Sequence, residues 1–347
     1  MLIFVDFFYI FNIIIIYTVI NVKGAILNSL RLTQLSNLTK IKRHTLNARL
    51  KSCLNQNELQ RTAANQIILK PSQTKKILSN NLTTTRGKVI YTGNLKGGVG
   101  KTTISYLLSS AISSMGLKTC IIDLDVQANL TNQYNLCDPD NNVFFDIINN
   151  KKTTVKDIII NVNECLDIIP SSLKNSLIEK ALTIQSPKHY VSWFNKLCLN
   201  YLRENYDVII VDTPPHLTTL NSVFTLCLNK IDNIIIPVCP EEFSILGVNM
   251  FIDDITEIRN DYGISEEPNM LIVMNKFFQN QKTNLEVLIK MGNLYEEIFS
   301  ESIIKESAKM RDVMNNKTPI GQIKGGKDIH DTISSLLYDL NIIVANK

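Results

Sequence analysis

The feature that most restricts the fold is an apolar strand running straight into a glycine-rich loop and then a helix. Val89-Ile90-Tyr91 leads into Gly93-Asn94-Leu95-Lys96-Gly97-Gly98-Val99-Gly100-Lys101-Thr102-Thr103, and a helical pattern follows. Glycines let successive backbone N–H groups converge on an anion, and the positive end of the next helix faces the same point. The spacing therefore specifies a phosphate-binding loop. Lys101 would reach the β- and γ-phosphates of ATP, and the Thr102 hydroxyl would ligate Mg²⁺. Gly97, Gly98, Val99, Gly100, Lys101, Thr102 and Thr103 are the expected nucleotide-binding residues. The ordinary form of the loop has glycine five residues before Gly100, where this chain has Leu95. Lys-Gly-Gly-x-Gly-Lys-Thr, beginning at Lys96, fits without a mismatch.

Such a loop sits at the end of a parallel strand, and the downstream pattern agrees. Short apolar runs at Lys88–Thr92, Thr119–Asp123, Leu166–Pro170, Val208–Asp212, Asn233–Val238 and Asn269–Asn275 alternate with helical patterns. The helices are expected at Thr102–Ser114, Tyr190–Glu204, Thr219–Leu228, Ile245–Tyr262, Asn284–Met291 and Ile329–Asn341. The expected class is α/β: a doubly wound, mostly parallel sheet of the P-loop NTPase type, with a basic, helical N-terminal extension.

Two acidic strand ends complete the chemistry. In Ile121-Ile122-Asp123-Leu124-Asp125-Val126-Gln127-Ala128-Asn129, a carboxylate at the strand end can orient water near a γ-phosphate. In Val208-Ile209-Ile210-Val211-Asp212-Thr213-Pro214-Pro215, four apolar residues end in Asp212, which would lie near Mg²⁺ through water.

With these motifs in place, the sequence resembles the ParA/MinD group of deviant Walker A ATPases over about residues 87–340. The resemblance implies that Lys96 reaches across an ATP sandwich homodimer to the partner's nucleotide. It gives Asp125 a role in hydrolysis and switching, and Asp123 one in orienting the metal's water shell. Lys96, Lys101 and Asp125 are thus the catalytic candidates, and Thr102, Asp123 and Asp212 the metal-associated ones. Relatives commonly have Pro and Gly where this chain has Val126 and Ala128. Ile236–Gly247 resembles the segment near nucleotide and dimer face, and Asn275 the adenine-contacting position of related NTPases. Lys305, Lys309 and Arg311 occupy a closing strand–helix region where basic side chains contact the DNA backbone.

Charge and hydropathy divide the chain into three zones. Residues 1–22 are apolar apart from Asp6 and a few polar side chains, long enough for a bilayer span or else an over-extended start. A basic arm, 23–86, follows, and the ATPase domain is expected at 87–347. From Lys23 to Lys88 there are 13 Lys/Arg against Glu58 alone, a net of +12. With the overall charge at +4 and Asp6 preceding, the remainder must carry −7. A basic arm on an acidic domain suggests nucleic acid or an anionic membrane surface as its partner. Helical stretches around Thr45–Gln60 and Ser72–Ser79 permit a helix-turn-helix there. The seven cysteines have no close pair, which argues against zinc, iron–sulfur and disulfide-scaffold classes.

The expected function is an ATP-dependent, dimerising DNA-partition ATPase for a plasmid or chromosome. It would bind DNA without sequence preference in the ATP state, and a ParB-like centromere-binding protein would stimulate its slow hydrolysis. The expected location is cytoplasmic and nucleoid-associated, with membrane anchoring if residues 1–22 are real. A MinD-like membrane-surface ATPase is the alternative. That type uses a basic amphipathic C-terminal helix, whereas the tail here carries Asp331 and Asp339 beside Ile333, Leu336, Leu337 and Leu340 and reads as a packed final helix. A bacterial tyrosine kinase is disfavoured, since the tail has only Tyr338.

Overall fold

The computed structural model describes residues 28–83, 86–150, 152–182 and 187–344. The apolar segment 1–22 lies outside the described residues. Among those described, no helix is long and apolar enough to cross a membrane.

The first described elements are β1 (Leu30–Arg31), α1 (Leu32–Thr39), α2 (Arg43–Cys53), β2 (Gln60–Arg61), β3 (Ile67–Leu69) and α3 (Pro71–Ile77). β3 pairs antiparallel with both β1 and β2, giving a small sheet of order β1-β3-β2. Lys40 breaks α1 in a left-handed conformation (φ 54°), and α2 starts three residues later. Two helices joined by a three-residue turn therefore lie at Leu32–Cys53, one helix earlier than the stretches around Thr45–Gln60 and Ser72–Ser79 that the sequence suggested, which correspond to α2 and α3. The leucines explain the shift: Leu32, Leu35 and Leu38 on α1 and Leu46 and Leu50 on α2 are all buried. Beyond Cys53 the chain turns extended at Leu54, and α3 begins at Pro71, where proline's missing N–H costs nothing.

The main sheet holds eight strands: β4 (Lys88–Thr92), β5 (Thr119–Asp123), β6 (Ile160–Asn163), β7 (Leu166–Ile169), β8 (Val208–Asp212), β9 (Asn233–Val238), β10 (Asn269–Phe277) and β11 (Phe299–Lys305). Their order is β11-β10-β9-β4-β8-β5-β7-β6, parallel throughout except for β6, which is antiparallel at the edge. The glycine-rich loop thus leaves the sheet near its middle, flanked by β8 and β9. The expected strands are all present, and β6 and β11 are additional.

Side-chain alternation splits the core in two. Ile90, Ile121, Ile210 and Ile235 face one layer; Tyr91, Ile122, Ile209 and Ile236 face the other. The second layer is covered by α5 (Thr219–Leu226) and α6 (Phe243–Asp261), together with the helical run from Pro187 to Asn205. The first layer is covered by α4 (Lys101–Ser114) and the last helix, α9 (Lys327–Asp339); α7 (Lys282–Leu294) and α8 (Ala308–Asn315) lie between α6 and α9 in the chain.

The N-terminal unit shares that first layer, so the basic stretch is no detached arm. Leu30, Leu35, Leu38, Leu46, Leu50 and Leu69 belong to the same apolar cluster as Leu108, Ile112, Leu336 and Leu337. Polar contacts pin the seam. The Asn28 amide donates to Ser113 Oγ at 2.8 Å, Tyr338 O–H to Thr39 O at 2.6 Å, and Lys75 Nζ to Asp207 at 3.2 Å. Lys40 pairs with Asp331. The final helix buries Ile329, Ile333, Leu336 and Leu337 in this seam, as its sequence implied.

Candidate nucleotide and cation site

The site grows from three strand ends brought level by the sheet register. Thr92 pairs with Asp212 across β4 and β8, and Asp123 pairs with Asp212 across β5 and β8. Two carboxylates and the start of the glycine loop therefore meet at the C-terminal edge, where open α/β sheets bind ligands.

The loop is strapped before it turns. Gly93 N–H donates to Ile235 O at 3.0 Å, the Asn94 amide to Pro237 O at 2.7 Å, and Lys96 N–H to Asn94 Oδ1 at 2.9 Å. Gly98 and Gly100 take positive φ, 74° and 99°. At Gly100 a Cβ would stand 1.9 Å from Asn275 Nδ2, so that position requires glycine twice over. Asn275 Nδ2 donates to Val99 O at 2.7 Å. The residue expected to meet adenine therefore braces the loop through its Nδ2. An irregular register between Met274 and Phe277, with Lys276 at φ 55°, accompanies this placement.

Lys101 is buried and donates to Asn94 O and Lys96 O, each at 3.2 Å. Burial lowers its pKa, opposed by the nearby Asp212 and Asp125 carboxylates. The Thr102 hydroxyl donates to Asp212 Oδ2 at 2.8 Å and Ser105 Oγ to Asp212 Oδ1 at 3.0 Å. Thr102 and Asp212, predicted to flank one cation, are thus within hydrogen-bond reach of each other. Thr103 follows in the first turn of α4.

Asp123 and Asp212 are both 0% exposed. Burial pushes Asp212 up to about 8, with the neighbouring Asp123 charge adding to it. Burial likewise pushes Asp123 up to about 6, against the hydrogen bonds it accepts. Those bonds come from Thr131 N–H at 2.9 Å, Thr131 Oγ1 at 2.7 Å and Asp125 N–H at 3.1 Å. Both Asp123 oxygens are therefore occupied in organising the following loop. Asp125 Oδ1 accepts from Gln127 N–H at 3.0 Å, and Ala128 adopts φ 53° to start the next short helix. The chain makes the turn with alanine in a backbone conformation that glycine adopts at less cost.

Among the described residues, no three His, Cys, Asp or Glu side chains gather into a metal cage. Mg²⁺ keeps several waters and takes other ligands from nucleotide phosphates, so Thr102 and Asp212 would be the protein groups to hold it here.

Lys96 lies on the outer rim, half-exposed, and pairs with Glu241 from the segment after β9. That segment folds back through Ser244 Oγ donating to Cys239 O at 2.8 Å. Pro215, from the loop after β8, comes within 3.7 Å of where a Gly97 Cβ would be. Lys305 and Arg311 are exposed and Lys309 half-buried, around the end of β11 and the start of α8; Arg311 pairs with Glu306, and Lys305 donates to Gln279. These three stand apart from the phosphate loop, with β10 and β9 between.

Sequence reasoning missed Asn94, Ser105, Thr131 and Thr213. Thr213 Oγ1 ties the Asp212 loop to Thr92 O at 2.8 Å. Asn94 and Thr213 stand inside the quoted motifs and Ser105 and Thr131 just beyond them, and the role of each appears only once the strands align.

Comparisons with known proteins agree with this geometry. The AAA domain family model matches residues 87–268. An uncharacterized Methanocaldococcus jannaschii protein, MJECL24, is 35% identical over 216 residues, 60% of this chain and 81% of the relative. The sporulation initiation inhibitor protein Soj of Bacillus subtilis is 26% identical over 243 residues, covering 67% and 90%. Among solved structures, a substituted form of Cyanothece McdA in complex with ATP superposes with TM-score 0.65 at 19% identity, covering 75% of this chain and 98% of that one. A putative plasmid partition protein from Borrelia burgdorferi bound to AMPPNP gives 0.57 at 22%, covering 73% and 99%.

Proposed function

The chain belongs to the AAA domain family, as a ParA/Soj-type ATPase of the deviant Walker A group, and from that premise we propose that it works as an ATP-switched dimer that carries DNA. ATP with Mg²⁺ would sit on Gly97–Thr103, its cation between the phosphates, Thr102 and Asp212. Asp125 would orient the attacking water. Two copies would close face to face over their nucleotides, bind DNA without sequence preference through Lys305, Lys309 and Arg311, and hydrolyse ATP slowly until a centromere-binding partner of the ParB kind docks.

The observation that carries the reading is the placement of Lys96. It stands on the rim of the phosphate loop, held by an ion pair to Glu241 that is partly exposed on both sides. Exposed pairs of this kind contribute only about 0–1 kcal/mol. Lys96 can therefore leave Glu241 for the phosphates of a facing copy at little cost, whereas buried Lys101 is committed to its own loop.

Light scattering with a non-hydrolysable ATP analogue tests this. Wild type should become dimeric. Lys101→Ala should lose nucleotide binding by about 100-fold, the scale of charge-assisted contacts to phosphate. Lys96→Ala should bind nucleotide but stay monomeric; full dimerisation of that variant would refute the sandwich. Rapid ATP turnover by the purified protein alone would refute partner control.

A further inference from the structure

A cavity of about 210 Å³ opens where the loops after β5 and β8 meet the helical turns Leu173–Leu177 and Ile178–Leu182. Leu124 and Val126 line it from the first loop, and Pro214 and His216 from the second. Leu220 and Asn221, in the first turn of α5, face Ile178 and Glu179 across it. Leu124 and Val126 flank Asp125 in the chain. Whatever fills this space therefore touches both neighbours of the residue proposed to orient the attacking water.

The polar groups in its lining are mostly acceptors. Asn221 is 1% exposed, and its Nδ2 donates to His216 O at 3.1 Å, which fixes the amide. Its Oδ1 accepts no hydrogen bond among the described residues. Buried polar atoms are normally paired, and one left alone in a cavity lining is costly until something donates to it. Glu179 adds a carboxylate, braced by Thr219 N–H at 2.8 Å and Thr219 Oγ1 at 2.7 Å. The other lining amide, Asn175, is engaged at both ends: Oδ1 accepts from Phe145 N–H at 3.1 Å and Nδ2 donates to Ser171 Oγ at 2.9 Å. Among the described residues no Lys or Arg lines the cavity, and the His216 side chain is exposed. An anion would find little to hold it here. The rest of the lining is largely aliphatic, and the space is smaller than the roughly 300–1,000 Å³ of drug-sized ligand sites.

We propose that this cavity binds a small organic ammonium ion, a primary amine on a short aliphatic chain. The ammonium donates to Asn221 Oδ1 and Glu179, and the chain lies on Leu124, Val126 and Leu220. An ammonium carries several donors on one atom, so a single group serves both acceptors, whereas a hydroxyl has one donor and a carboxylate none. The bound amine holds the Asp125 loop against the Asp212 loop and so changes the rate of hydrolysis. That consequence rests on the role proposed for Asp125; the binding itself does not.

The test uses the full chain and n-pentylammonium, followed by saturation-transfer NMR, with n-pentanol and pentanoate for comparison. Wild type should bind the amine saturably, at least about tenfold tighter than the alcohol, the scale of a charge-assisted hydrogen bond. Pentanoate should not bind. Asn221→Leu, which keeps the side-chain volume and removes Oδ1, and Glu179→Gln should each weaken the amine at least about tenfold. Ser176→Trp fills the exposed rim of the cavity without touching those acceptors, and should block the amine while ATP affinity holds, which certifies the fold. The proposal is overturned if the amine does not bind, if the alcohol binds as tightly, or if Asn221→Leu and Ser176→Trp both bind like wild type. At saturating amine, ATP turnover should change; unchanged turnover with binding intact would strike the coupling to Asp125 and leave the site.

Discussion

The nucleotide edge and the N-terminal unit are built on opposite principles. At the nucleotide edge, side chains are held in costly positions: two buried carboxylates side by side, a buried lysine, Ala128 in a left-handed turn, and a Gly100 that tolerates no Cβ. Among its described residues the N-terminal unit buries no carboxylate, lysine or arginine, and its left-handed residues, Lys40 and Asn65, are exposed. Its leucines fill a shared apolar layer, and its charges face outward. The difference teaches where each region's information resides. One spends stability on chemistry and announces itself by motif; the other contributes stability and shows itself only in its charge and its leucine spacing.

The sharpest way to break this contrast is to remove the N-terminal unit. Leu30, Leu35 and Leu38 are each 0% exposed within the layer shared with α4 and α9. Truncating one buried leucine to alanine costs about 2–5 kcal/mol, and whole domains are stable by only about 5–15 kcal/mol. A chain starting at residue 87 should therefore give no cooperative melt by circular dichroism. If it melts as the full chain does and binds ATP equally well, the unit is an ornament and the contrast fails.

A smaller effect lies in pH. Unfolded aspartates ionise near pH 4, whereas burial holds protons on Asp123 to about 6 and on Asp212 to about 8. Between those limits the native state binds more protons than the unfolded one. Its stability, free of nucleotide and metal, should fall as pH rises from about 4 to about 8. Asp212→Asn removes the upper half of that window, so its melting temperature should drop less than wild type's between pH 6 and pH 8. A steeper drop in the variant would show that the pair's burial is not the cause.

The smallest effect is Ala128→Gly. Relief of a left-handed alanine is worth about 1 kcal/mol, offset in part by glycine's freedom in the unfolded chain. The denaturation midpoint should rise slightly or hold. A clear loss would mean that the Ala128 methyl contributes packing that outweighs the strain.

Legibility in the sequence followed the same divide. β4, β5, β8 and β9 match their expected bounds because both their faces are apolar and their ends are marked by Thr92, Asp123, Asp212 or Pro237. β11 was hidden, since two of its inward positions are Ser300 and Ser302. Both hydroxyls donate to Asp339, at 2.6 and 3.0 Å, so a polar ladder stands where hydrophobic alternation would signal a strand. β6 reads Ile-Asn-Val-Asn on an exposed edge. The phosphate loop was legible from its spacing, but its brace was not. Asn275 meets Val99 across 176 residues, a contact that no local pattern encodes. In the N-terminal unit the net charge drew attention to the surface, and the leucine spacing that sets α1 and α2 was the better guide.

α4 joins the two regions physically. Its first turn bonds Asp212 through Thr102 and Ser105, and its far end meets Asn28 through Ser113, while Gly116 just beyond abuts Pro71. Fourteen residues of helix make a rod about 21 Å long. A rod pivoting at one end by about 5° displaces the other by about 2 Å, which is most of a hydrogen bond's length. One continuous helix, with no loop in between, therefore spans from the phosphate end to the seam with the N-terminal unit.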